Sequence, residues 1–101
     1  MIDRKLLRDR LVNEFDYPDK AVDIVVDKIN AMTPDVYAAF EEWFNTGKIV
    51  DMEIEGYDFA SLKANEAKMN TIAIYLSFDW LVREPLKAKA ALERPYNPLR
   101  R

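Results

Sequence analysis

The chain has 101 residues, of which half are apolar and a third are charged, and its formal net charge is −3. This length and composition suit one globular domain with its own core, and they exclude a disordered or fibrous protein. The lack of Cys and His excludes disulfides and thiolate zinc sites, and it removes the commonest catalytic base.

The N-terminus predicts an intracellular protein, and we expect it to be cytoplasmic. Residues 1–10 are rich in charge and lack the apolar core of a signal peptide. No apolar run approaches the roughly 20 residues needed to span a bilayer. We therefore expect no membrane association.

The first 31 residues predict two helices. The first should run from about Asp3 to Phe15, because Leu7, Leu11 and Phe15 repeat every four residues. The stretch Asp16-Tyr17-Pro18-Asp19 is typical of a turn that leads into a second helix, which should end near residue 31. Its apolar stripe should consist of Val22, Val25, Val26 and Ile29.

The third helix, from Pro34 to about Thr46, has the clearest end signals in the chain. Thr33 suits the N-cap and Pro34 the first helical position, while Gly47 can adopt the left-handed conformation that ends a helix. At 100° per residue, Phe40 and Phe44 point to the core. Tyr37 and Trp43 fall on opposite edges of the apolar arc, roughly 120° apart.

After the third helix, apolar and acidic residues alternate, which predicts a short extended segment at about 49–55. Val50, Met52 and Ile54 alternate there with acidic residues. We favour a strap that lies along the helices, because an isolated strand is only marginally stable. The alternative is pairing with the same segment of a second copy, which would make a homodimer.

The acidic residues of this segment have the spacing of a calcium loop over its first six positions. Asp51, Glu53 and Glu55 precede Gly56, but the twelfth position is Leu62, where a calcium loop has a bidentate Glu. We therefore interpret them as the outer face of the extended segment and expect neither a metal nor a cofactor.

The last part of the chain predicts further short helices. Asp58 and Asn70 suit N-caps, the first of a helix that ends near Lys68. Residues 72–78 are so apolar that they predict either a central helix or a buried strand. Pro85 should start a last helix that ends near Glu93. The predicted fold is an all-α, compact bundle of five to six short helices in one domain, 1–93, with a C-terminal helical unit at about 58–93 and an extended tail, 94–101.

Charge is unevenly distributed, and the tail is the basic part. Residues 1–47 carry six Lys and Arg against ten Asp and Glu, whereas residues 85–101 carry five against one. The third helix offers no cation before Lys48, which argues against direct DNA binding. The candidate anion contacts are Lys87, Lys89, Arg94, Arg100 and Arg101.

Catalysis has few of the required residue types. The only serines, Ser61 and Ser77, have no His to activate them, and two glycines cannot make a phosphate-binding loop. We therefore expect a protein that is not an enzyme.

Three short helices with Phe15-Asp16-Tyr17-Pro18 between the first two resemble the ubiquitin-associated (UBA) type of bundle over residues 3–46. The resemblance implies a binding surface formed by that turn and by the end of the third helix, at Phe15, Tyr17, Trp43 and Phe44. Asp16 stands where the family usually has Gly. The third helix and residues 79–85 are also similar to short bacterial proteins of unknown function.

These observations favour a non-catalytic protein-interaction or adaptor module whose partner is an unidentified protein. The aromatic surplus and the extended segment supply the contact surface. The alternative is a small regulatory protein that acts near nucleic acid through its basic tail. The candidate protein-binding residues are Phe15, Tyr17, Tyr37, Trp43, Val50, Met52 and Ile54.

Overall fold

The computed structural model describes residues 2–65 and 70–93 and confirms the all-α prediction. Within these ranges the chain forms six helices and no β-sheet. No helix among the described residues combines the length and apolar character needed to cross a bilayer. The helices are α1 (Arg4–Asn13), α2 (Asp19–Asn30), α3 (Pro34–Thr46), α4 (Phe59–Asn65), α5 (Thr71–Arg83) and α6 (Pro85–Glu93).

Contacts between Cα atoms group the chain into two compact units. The N-terminal unit is Met1–Val50 and contains α1, α2 and α3, and the C-terminal unit is Asp51–Arg101 and contains α4, α5 and α6. The single domain over residues 1–93 stays a prediction. The basic tail, residues 94–101, lies outside the described residues.

In the N-terminal unit α1 packs antiparallel against α2. Two ion pairs, Arg4 with Asp27 and Arg8 with Asp23, cross between these helices. The predicted apolar stripe of α2 is confirmed, because Val22, Val25, Val26 and Ile29 are all buried. They share the core with Leu7, Leu11, Val36, Phe40 and Phe44.

The ends of α3 fall at the predicted residues, but one cap differs. Gly47 has φ +78° and its N–H donates to the Trp43 carbonyl at 2.7 Å, as its C-terminal role requires. The Thr33 side chain was expected to cap the helix, and it makes no capping hydrogen bond. The Thr33 carbonyl instead accepts the first helical hydrogen bond, from Tyr37 N–H at 2.8 Å.

In the C-terminal unit α5 packs against both α4 and α6. Residues 72–78 are helical, which settles the choice between helix and strand. The Asn70 side chain caps α5 as predicted, since it accepts a hydrogen bond from Ala73 N–H at 2.8 Å. This helix is less completely enclosed than expected, because Val82 is 44% exposed. The core residues here are Leu62, Ile72, Ile74, Tyr75, Phe78, Leu81 and Ala88.

The segment at 49–55 contains no strand and ends in a reversal that the sequence did not indicate. Ile54 and Tyr57 exchange two backbone hydrogen bonds of 2.9 Å around the residues between them. Glu55 has φ +54° and Gly56 has φ +86°. Two positive φ values in a two-residue loop are typical of a type I′ turn. The chain therefore pairs with itself at Ile54, and this residue's backbone groups are no longer available to a second copy.

Candidate functional site

The predicted protein-binding residues divide between the two units. Five of them lie in the N-terminal unit and two, Met52 and Ile54, in the C-terminal unit. All seven are half-buried. Those of the N-terminal unit are Phe15, Tyr17, Tyr37, Trp43 and Val50.

Phe15 and Trp43 meet where the turn after α1 reaches the last part of α3. Their ring centroids are 5.7 Å apart, with the ring planes at 49°. Trp43 also contacts buried Phe40, again at 5.7 Å. We call Phe15 and Trp43, together with Tyr17 of the same turn as Phe15, the aromatic corner. All three residues are half-buried.

The turn that carries Phe15 and Tyr17 differs in detail from the predicted one. Helix α1 ends at Asn13, so Phe15 lies beyond the helix to which it was assigned. Asp16 has φ +56°, the left-handed conformation that Asp tolerates better than most residues. The Tyr17 N–H donates to the Leu11 carbonyl at 3.0 Å. These local interactions fix the turn against the end of α1.

Tyr37 lies on another face of α3, as the helical angles predict. Its hydroxyl accepts a hydrogen bond of 2.9 Å from the Ile2 N–H. Tyr37 lines an open groove of about 760 Å³ together with the buried side chains of Ile2 and Met32. Tyr37 therefore does not contribute to the aromatic corner.

Arg10 is the residue of this region that sequence analysis missed. Its guanidinium carbon lies 4.0 Å from the centroid of the Phe44 ring, and one Nη donates to the Phe44 carbonyl near the end of α3. Its Nε forms an ion pair with Glu14. The cation thus joins α1 to α3 and faces the negative end of the α3 dipole. Only the four-residue spacing of Arg10 and Glu14 was visible in the sequence.

The two described candidate anion contacts in α6 are both paired with carboxylates. Lys87 Nζ lies 3.1 Å from Glu84 and Lys89 Nζ lies 3.9 Å from Glu55. The other three candidates, Arg94, Arg100 and Arg101, lie outside the described residues. Neither pair favours the regulatory alternative near nucleic acid, which stays a prediction.

The turn at Ile54–Tyr57 is tied to α6 by an ion pair. Besides the ion pair of Glu55 with Lys89, the Glu93 carboxylate lies near enough to the Tyr57 hydroxyl to affect its ionisation. Burial first, and then the negative charge of Glu93, raise the pKa of the Tyr57 hydroxyl above its usual value. Lys89 and Glu93 are four residues apart and so lie on one face of α6.

Asp51 has a structural role in the loop before α4. Its Oδ1 accepts hydrogen bonds from Met52 N–H at 2.9 Å and from Phe59 N–H at 2.8 Å. Asp58 caps the same helix as predicted, by accepting from Ser61 N–H at 2.7 Å. Hydrogen bonds from Ser61 lower the pKa of the Asp58 carboxyl. In residues 2–65 and 70–93, no three acidic side chains are placed to hold a metal ion.

Comparisons with protein-family models, with curated proteins and with solved structures find no significant match. The function must therefore be inferred from the geometry of the two units. The aromatic corner combines half-buried aromatic residues with a turn backbone that is hydrogen-bonded to α1.

Proposed function

We propose that the N-terminal unit is a non-catalytic protein-interaction module that binds its partner through the aromatic corner. The observation that carries this proposal is the contact between Phe15 and Trp43. It brings a turn and a helix end together with both rings half-exposed. Aromatic side chains offer a large contact area at low conformational cost, so they dominate many protein interfaces.

The rigidity of the corner supports the same function. The Tyr17 N–H is bonded to α1, and Arg10 ties α1 to the carbonyl of Phe44, the residue after Trp43. A surface already held in its binding conformation loses little entropy when a partner docks. The supports of the corner are thus those expected of a recognition surface.

The resemblance to the UBA type of bundle also supports this proposal. In that family the binding surface uses the turn between the first two helices and the end of the third. Here the same two elements meet at Phe15 and Trp43. Asp16, which stands in the place of the family's Gly, adopts a positive φ, the conformation that Gly takes without strain. We therefore propose an adaptor role of this kind.

Photo-crosslinking tests the proposal in the full-length chain. Tyr17 is replaced by p-benzoylphenylalanine, and the matched control carries the same group at Lys28, an exposed position of α2. We expect a discrete crosslinked protein from Tyr17 that the control does not give. Adding Trp43→Ala to the variant that carries the crosslinker at position 17 should remove the crosslinked product. Circular dichroism checks that the helices remain. Identical products from both positions would contradict the proposal.

A further inference from the structure

We infer that the aromatic corner recognises a cationic segment of its partner, in which Arg or Lys stands beside apolar side chains. This inference rests on the proposed function and names the chemistry of the partner. It depends on the charges that surround the corner and on which of them are already paired within the chain.

Three carboxylates flank the corner along the chain. Asp16 lies between Phe15 and Tyr17, Asp19 begins α2, and Glu42 precedes Trp43. All three are exposed, and none of them forms an ion pair in the described part of the chain. Glu42 accepts a hydrogen bond of 3.2 Å from the Thr46 hydroxyl, which leaves its negative charge uncompensated.

The arginines of the N-terminal unit are all engaged in contacts within the chain. Arg4 and Arg8 pair with aspartates of α2, and Arg10 is held between Glu14 and Phe44. Lys20, exposed on α2, is the nearest cation in sequence to the turn. Along the two segments that carry the rings, residues 14–20 and 41–48, five carboxylates stand against two cations, Lys20 and Lys48, so these segments carry a net negative charge.

A cationic side chain of the partner can interact with both the aromatic rings and the carboxylates of this surface. Arg or Lys is attracted to the face of Trp or Tyr and gains further from nearby carboxylates, while its apolar neighbours cover the remaining ring surface. A phosphate backbone would be repelled by the same carboxylates. The corner thus selects a cationic protein segment over a nucleic acid.

Titration of the ¹⁵N-labelled full-length chain with three synthetic peptides tests this inference. The first alternates Arg with Leu, the second has Glu in place of Arg, and the third has neutral citrulline in place of Arg. We expect the Arg peptide to shift the amide signals of residues 15–19 and 42–46 and the Glu peptide to leave them unchanged. The citrulline peptide should bind several-fold more weakly than the Arg peptide, and added salt should weaken the binding of the Arg peptide.

Charge-matched variants locate the effect. Asp16→Asn with Glu42→Gln should weaken the Arg peptide about fivefold, the size expected from losing two exposed charge contacts. Asn also tolerates the positive φ of position 16. Asp9→Asn with Asp35→Asn removes the same charge from exposed positions outside the corner, and it should leave the affinity unchanged.

Two results would overturn the inference. One is equal binding of the Arg and citrulline peptides at the corner, and the other is the absence of shifts there with any peptide. In both cases the crosslink from Tyr17 decides separately on the proposed function. A crosslinked partner would keep the interaction module and remove only the cationic class of its ligand.

Discussion

Replacing Arg10 by Ala should destabilise the N-terminal unit by about 2 kcal/mol. The side chain is 29% exposed, so each of its contacts is partly screened. The cation over the Phe44 ring contributes about 0.5–1 kcal/mol at such a site. The charged hydrogen bond to the Phe44 carbonyl contributes roughly 1–2 kcal/mol after discounting for exposure. The ion pair with Glu14 adds only about 0.3–0.5 kcal/mol.

A matched control is present on the same helix. Arg8 forms an ion pair with Asp23 in which both side chains are more exposed, 44% and 66%. Arg8→Ala should therefore cost only about 0.5 kcal/mol. The loss of stability in Arg10→Lys should lie between these two values, at about 1 kcal/mol. Lys keeps the charge, but it lacks the planar guanidinium that contacts the ring, the carbonyl and the carboxylate at the same time.

Urea unfolding followed by tryptophan fluorescence measures these differences. The Trp80→Phe background leaves Trp43 of the N-terminal unit as the only tryptophan. The free energy of unfolding is compared among variants whose dependence on urea concentration has the same slope. If Arg10→Ala and Arg8→Ala differ by less than about 0.3 kcal/mol, the contacts of Arg10 with Phe44 do not stabilise the unit and our reasoning is refuted.

Three further predictions concern the C-terminal unit. Glu55→Asn should raise its stability by about 0.3 kcal/mol, because Asn suits the positive φ of a type I′ turn and this gain exceeds the loss of the exposed ion pair with Lys89. Gly56→Ala should lower the stability by about 1 kcal/mol, and the opposite order in thermal melts would contradict the turn assignment. Asp51→Ala should cost about 1 kcal/mol by removing a cap of α4, and an unchanged melting temperature would exclude that role. The pKa of the Tyr57 hydroxyl is raised in the folded state, so its contribution to the free energy of unfolding is present below the unfolded pKa of about 10 and is lost as pH rises through the folded pKa. Tyr57→Phe should therefore reduce the fall in stability above pH 10. An identical dependence of stability on pH in the variant would contradict this.

The parts of the fold that depend on local signals could be predicted from the sequence. Helix α3 runs from Pro34 to Thr46 as expected, because Pro34 and Gly47 act through the conformations of their own backbones. The separation of Tyr37 from Trp43 follows from helical geometry alone. In each case the cause lies within one helix.

The turn at Ile54–Tyr57 was missed because its first central residue is unusual. Glu55 occupies a left-handed position for which Asn, Asp or Gly is typical, and its alternation with apolar neighbours indicated an extended chain instead. The ion pair of Glu55 with Lys89 of α6 helps to hold the turn. Tertiary interactions thus override the local preference.

The sequence predicted only part of what the structure shows around the candidate site. The turn with Phe15 and the end of α3 with Trp43 were expected to form one surface, and these two rings are in contact, but the assignment of Met52 and Ile54 to the other unit was not expected. Arg10 was missed because Phe44, which it contacts, is 34 residues away. No periodicity or spacing rule connects two residues at that distance.

The ion pairs between α1 and α2 leave the register of these helices underdetermined. Asp19, Asp23 and Asp27 repeat every four residues on α2, but only Arg4 and Arg8 face them. Sliding one helix by four residues, about 6 Å, would re-pair Arg4 with Asp23 and Arg8 with Asp19 at no loss of ion pairs. The buried side chains must therefore decide the alignment, since a slide would displace every one of them. Continuing the four-residue spacing of the two ion pairs places Val12 opposite Asp19, so this acidic position has no cationic counterpart on α1.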